Sequence, residues 1–175
     1  ILDKRLEALQ AAVPLCEDPA IIGAGRLKAL RLARAILVLL PAIEQYDQHI
    51  AALFGAHEDA AIFASLPGAG PTLAPRLLVA FGSRRDRWHD SLEVATYSGI
   101  APVIERSGKR SLVHWRWACP KFVRQTFHEY AAQSIRLSPW AKAFYQQQRQ
   151  KGKGHHAALR ALAFRWIRII YRCWQ

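Results

Sequence analysis

"DAAIFASLPGAGPTLAPRLLVAFG", residues 59–82, sets two short apolar runs on either side of "LPGAGP". Proline costs nothing at the first position of a helix, because the N–H it lacks is unpaired there in any case. A short helix therefore runs into the turn and a second starts at Pro71. Gly68 and Gly70 permit the tight turn between them. The neighbouring segments carry their own 3-and-4 apolar spacing, which predicts helices there as well.

Upstream, Leu2, Leu6, Leu9 and Val13 lie at helical spacing and Pro14 ends that run. A long helix is predicted from about Gly25 to about Gly55. Its stripe of Leu27, Leu30, Ala33, Leu37, Leu40, Ile43, Tyr46 and Ile50 suits an antiparallel helical pair or a coiled coil. Pro41 is expected to kink or split it. Downstream, Asp90 reads as an N-cap with Glu93 as its capping-box partner, and Gly99 ends that helix. Three helices close the chain. Pro120 opens the first, with Val123, Phe127, Tyr130 and Ser134 on one face, and Ser138-Pro139 opens the second. The third turns Leu159, Leu162, Ala163, Trp166, Ile170 and Cys173 inward and Arg160, Arg165, Arg168 and Arg172 outward. One segment looks β-like: Val103-Ile104 and Ser111–Trp115 can pair across a Ser107-Gly108 turn. The expected fold is mainly α. A coiled-coil-like arm over residues 1–56 precedes a compact helical domain over 57–175 that contains the glycine turn and one small β-hairpin.

Charge divides the chain differently. Residues 1–83 hold seven Lys/Arg and eight Asp/Glu; residues 84–175 hold eighteen and five, a net charge of +13. Such a basic half favours a polyanionic partner, nucleic acid before an anionic membrane, and its arginines suit bidentate phosphate contacts. No run approaches the roughly 20 apolar residues of a membrane span. Cys16, Cys119 and Cys173 are scattered and form no zinc spacing, as ordinary thiols in a reducing cytoplasm do. The chain starts with isoleucine and lacks methionine, so a trimmed piece of a longer protein is expected.

Two features carry chemistry. Leu66, Gly68, Ala69, Gly70 and Ala74 fit the helix-hairpin-helix pattern, in which a glycine turn and a helix N-terminus offer N–H groups to a DNA phosphate. A plain helical hairpin fits the same residues. Ser107 stands among Arg106, Lys109 and Arg110. A serine needs a base and a stabilised transition state to act as a nucleophile, and cations can hold the charge of a phosphorane. His114 is a possible base if it lies on the right side of the strand. A surface turn with no chemistry also fits these residues. Asp86, Asp90, Glu93, Glu105 and Glu129 form no metal-binding motif.

The order "LPGAGPTLAPRLLVAFG", "YSGIAP", "SGKR", "RWACPKFVRQTFHEYA" and "WAKAFYQQQRQKGKGHHAALRALAFRWIRIIYRCW" resembles the C-terminal half of the insertion-sequence one-ten family of transposases. The resemblance covers residues 59–175; Ser98 departs from it, standing where an apolar residue is more usual. It implies a DNA recombinase in which Ser107 is the nucleophile and forms a covalent phosphoserine link. Arg106, Lys109 and Arg110 would bind the phosphate. Gly68, Gly70, Lys121, Arg124, Arg165 and Arg168 would contact DNA. It further implies a missing RuvC-like N-terminal domain with Mg2+, a guide-type non-coding RNA, a homo-oligomer, and a bacterial cytoplasmic, nucleoid-associated location. The piece alone is expected to be inactive and to hold no cofactor. The alternative is a non-catalytic nucleic-acid-binding or dimerisation module.

Overall fold

The structure, a computed structural model, describes residues 1–13, 15–108, 110–114 and 116–175, and only the backbone of Ser111. The expectations for Pro14, Lys109 and Trp115 fall outside the described residues. The fold is mainly α: eight α-helices, one 3-10 turn and one two-stranded antiparallel sheet among the described residues. The chain forms two compact units, Ile1–His49 and Ile50–Gln175. No helix among the described residues is long and apolar enough to cross a membrane.

The first unit carries α1 (Leu2–Gln10) and most of α2 (Pro19–Gly55). α2 begins six residues before the predicted Gly25, because Asp18 and Pro19 form a start signal. Asp18 Oδ1 accepts from the Ala20 N–H at 2.8 Å, and Pro19 takes a first-turn position where its missing N–H costs nothing. Pro41 does not split the helix, which runs on through it. Neither α1 nor α2 buries a residue, so the predicted apolar stripe lies open to solvent within this chain.

The second unit is a helical body around one core. α3 (Ala60–Ala64) packs on α4 (Gly70–Phe81), and α4 on α6 (Lys121–Leu137). α7 (Pro139–Gln150) lies against both α6 and α8 (His155–Trp174), and α5 (Ser91–Tyr97) lies against α8. Phe81 is the hub: its ring centroid is 5.7 Å from Phe63, 6.0 Å from Phe127 and 5.5 Å from Trp174. Fully burying one such side chain contributes about 1.5–3 kcal/mol. The buried indoles also find acceptors. Trp88 Nε1 donates to Phe81 O at 2.8 Å, Trp166 Nε1 to Ser134 Oγ at 2.8 Å, and Trp174 Nε1 to Gly82 O at 3.2 Å.

The face expected on α6 is the buried one: Val123, Phe127, Tyr130 and Ser134 all lie inside. The α8 stripe needs one correction. Leu159, Leu162, Ala163, Trp166 and Ile170 are buried, but Cys173 is exposed and Trp174 takes the inward position. Spacing alone does not separate the two, because Cys173 falls within the arc of the buried residues; at the end of α8 it is Trp174 that meets Phe81 and Arg85.

Asp59 precedes α3 without capping it through its side chain. Its buried carboxylate instead receives a two-pronged pair from Arg85, on the 3-10 turn Arg85–Arg87, with Arg85 Nη1 2.8 Å from Oδ2. These hydrogen bonds hold the Asp59 carboxyl below its usual range, against the opposing effect of burial. The same guanidinium lies 4.5 Å from the Trp174 ring centroid, which fastens the end of α8 to the start of α3.

Candidate functional site

The hairpin grows from the end of α5. The side chain of Asp90 accepts the N–H groups of Leu92 and Glu93, both at 2.8 Å, so Asp90 is the N-cap as expected. Glu93 reaches back one residue further than a capping box requires, to the N–H of His89 at 2.9 Å. At the other end Gly99 takes φ +71°, which lets the N–H groups of Ile100 and Ala101 fold back on Ala95 O at 3.0 and 2.8 Å. Ser98 is buried there with its hydroxyl donated to Ala95 O at 3.1 Å. A Cβ on Gly99 would lie 2.9 Å from Cys119 Cβ and overlap its Sγ. The segment entering the hairpin is thus pressed against the segment leaving it.

β1 (Val103–Ser107) and β2 (Arg110–His114) pair antiparallel, with Ser107 opposite Arg110 and Val103 opposite His114. Ser107 is therefore the last residue of β1, and Gly108, at φ +56°, follows it into the turn. Directly opposed residues share a face and successive residues alternate. Ser107 and Arg110 point to one side; Arg106, opposite Ser111, belongs to the other. Of the three cations expected around the serine, Arg110 shares its face, Arg106 lies across the pleat, and Lys109 is outside the described residues. Ser107 is solvent-exposed.

His114 shares the face of Ser107 but sits at the foot of the hairpin. Four strand steps separate the two positions, about 13 Å. His114 Nε2 instead lies 2.9 Å from Glu105 Oε2, off hydrogen-bond alignment. It is not the base for Ser107 within this chain, and no described residue hydrogen-bonds the Ser107 hydroxyl.

The glycine turn is built as expected between α3 and α4, with Gly68 at φ +84° and Gly70 at φ +56°. The two glycines serve different ends. A Cβ on Gly68 would come within 3.0–3.1 Å of the Gln133 and Ser134 backbone, so Gly68 is where the turn packs against α6. Gly70 is exposed with nothing within 4 Å of the same construction. The shallow cleft of about 340 Å³ beside the turn contains Arg76 and Glu129, already paired at 2.6 Å. An anion in that cleft would have that carboxylate for a neighbour.

The basic helices meet elsewhere. A cleft of about 750 Å³ opens between α7, α8 and the foot of the hairpin. Six of its lining residues are Lys or Arg and none is Asp or Glu. Arg165 and Arg168 are among them; Lys121 and Arg124, on α6, are not. Arg124 Nη1 donates to Arg116 O at 3.4 Å, and its charge adds to burial in lowering the pKa of Arg160. The sequence offered no sign of this cleft, whose walls come from four separate segments: residues 99–102, Val113, His114 and Arg116, and residues from the stretches 144–153 and 157–168. Among the described residues no three His, Cys, Asp or Glu side chains gather as a metal site.

Comparison with known proteins agrees with the order of these motifs. The model of the transposase IS116/IS110/IS902 family matches residues 60–146. The chain is 30% identical over 157 residues to the "Mini-circle putative transposase for IS117" of Streptomyces coelicolor, across 90% of this chain and 38% of that one. It is 32% identical over 143 residues to the IS900 uncharacterized 42 kDa protein of Mycobacterium paratuberculosis, covering 81% and 36%. It is 29% identical over 166 residues to the IS116 uncharacterized 44.8 kDa protein of Streptomyces clavuligerus, covering 91% and 41%. The chain spans about two fifths of the length of these curated relatives. Matched across the glycine turn, the serine hairpin and α6, the chain belongs to the IS116/IS110/IS902 family of insertion-sequence transposases.

Proposed function

We propose that this chain is the serine-bearing part of a DNA transposase and that Ser107 attacks a DNA phosphodiester. The observation that carries the reading is the exposed Ser107 hydroxyl at the end of β1, directly across from Arg110. A hydroxyl there meets a backbone phosphate without unfolding, and the guanidinium opposite can hold two of its oxygens. Ser107 Oγ forms a bond to phosphorus as the bond from phosphorus to one sugar oxygen breaks. The serine proton leaves to a base, and the departing sugar oxygen takes up a proton. One ester replaces another, so the strand can be resealed without ATP. Arg110 stabilises the charge on the phosphorane, and the charges of Arg106 and Lys109 attract the strand to the hairpin.

Among the described residues no base hydrogen-bonds Ser107, and the proton acceptor in this reading belongs to another part of the full-length protein or to a second subunit. A RuvC-like domain with Mg2+ and a guide-type RNA complete this reading, and none of the steps above is assigned to the metal. Gly70, Lys121, Arg124, Arg165 and Arg168 are proposed to hold nucleic acid, and the open stripe of α2 to pair with a second copy of the chain. The 175-residue chain alone is expected to leave DNA uncut in the presence of Mg2+.

The test is Ser107→Ala in the full-length protein. Covalent protein–DNA adducts and recombination should fall at least a thousandfold while DNA affinity stays within about twofold. Recombination that survives the substitution would make this chain a binding module without chemistry.

A further inference from the structure

The cleft between α7, α8 and the foot of the hairpin is built unlike a surface for paired DNA. Its rim is cationic, with Lys151, Lys153, Arg165 and Arg168 and no carboxylate. Its floor is apolar, from Ile100, Ala101, Ala157, Phe144 and Phe164. A duplex backbone matches the rim and leaves the floor empty, because its bases are stacked inside. The floor calls for a flat, uncharged body joined directly to an anion.

Three observations bear on the occupant. The volume, about 750 Å³, falls in the range of roughly 300–1,000 Å³ typical of small-ligand pockets. Phe144 is braced by Trp140, with rings 5.9 Å apart and 25° from parallel, and the Arg165 guanidinium lies 5.8 Å from its centroid. An aromatic wall beside an arginine is what base stacking uses. Arg116 Nε is buried in the cleft lining and has no hydrogen-bond partner among the described residues. A buried donor without an acceptor is costly, and a base edge or phosphate oxygen would satisfy it.

We infer that this cleft receives an unpaired nucleotide, its base against the apolar floor and its flanking phosphates on the Lys151–Arg168 rim. The inference rests on the reading of this chain as a nucleic-acid-binding protein and adds to it a specific preference. A strand bent or opened at one position is held there, while the hairpin beside it presents Ser107. The shared chemistry is an unpaired nucleotide in DNA or in RNA.

The experiment uses the 175-residue chain and synthetic 20-base-pair duplexes, in DNA and in RNA. Each is made fully paired, with one bulged adenine, and with an abasic residue in the bulge. The bulged duplex should bind about tenfold more tightly than the paired one, and the abasic duplex should lose that gain without any change to the protein. 2-Aminopurine in the bulge should change its emission on binding. Ala161→Trp, which fills the cleft and removes no charge, should bring bulged and paired duplexes to equal affinity and leave the salt slope unchanged. A gain in only the DNA or only the RNA series supports the inference and identifies the source. Equal affinity for bulged and paired duplexes, with a steep salt slope retained, overturns the cleft assignment and leaves the nucleic-acid reading intact. An abasic duplex that keeps the gain overturns it too. No binding to any duplex overturns both.

Discussion

α2 and α8 are both long helices with an apolar stripe at 3-and-4 spacing, yet α8 buries eight residues and α2 buries none. The difference lies in their neighbours. α8 is surrounded by α5, α6 and α7, so Leu162, Ile167 and Ile170 are sealed on several sides. α2 has no such cover within the described chain, and Leu37, Leu40 and Ile43 remain more than half exposed. Periodicity defines a face; it does not supply what covers it. The body should therefore carry the stability of the isolated chain, and the stripe of α2 should matter for association.

The sharpest break of that comparison lies in the core. Phe127 is fully buried beside Phe81, so Phe127→Ala removes a ring from a packed cluster and leaves a cavity. The expected cost is about 3–5 kcal/mol. Urea unfolding followed by Trp fluorescence, which reports the buried indoles of the body, will read it. A loss below about 1 kcal/mol would mean that the body core is looser than its packing implies.

Much of the body could be read from residue order, because local signals and tertiary packing agree there. The α6 face, the Asp90 and Ser138 caps and the hairpin all follow from spacing, side-chain acceptors and turn chemistry within a few residues. Contacts between distant segments were not readable. Asp59 meets Arg85 and Trp174 only because three elements converge, and no periodicity foretells that. Cys173 was misplaced because helical spacing puts both it and Trp174 on the inner arc, and which of them is covered depends on the distant Phe81 and Arg85. For the site, the serine and its cations were visible as a cluster. Their division between two faces needed the register, which sets Arg110 beside Ser107 and Arg106 behind it. The cleft drew its walls from four separate segments and was invisible.

A smaller effect should appear at the junction of body and hairpin. Gly99→Ala places a methyl group on Cys119 at a backbone conformation that alanine resists. Left-handed strain of about 1–2 kcal/mol and overpacking of about 1–3 kcal/mol predict a loss of about 3 kcal/mol. Adding Cys119→Ala removes the sulfur and should recover that part of the steric cost, leaving the Cβ contact and the conformational part. Thermal unfolding of the single and double variants separates the two, and no recovery in the double variant would show that the hairpin ends are not held by this contact.

The smallest effect on the body belongs to α2, and there the comparison reverses. Leu37→Asp with Ile43→Asp puts charges on residues that are already 65% and 54% exposed. Exposed substitutions usually change stability by no more than about 0.5 kcal/mol, so unfolding of the body should be nearly unmoved. Association should not be. If the stripe pairs with a second copy, as proposed, the unaltered chain sediments as a dimer or larger at micromolar concentrations and the double variant sediments as a monomer. Two charges buried in such a seam would lack partners, a penalty far larger than any they carry in water. An unchanged oligomeric state in the variant would remove α2 as the interface. A lost body transition would mean instead that the arm stabilises the core.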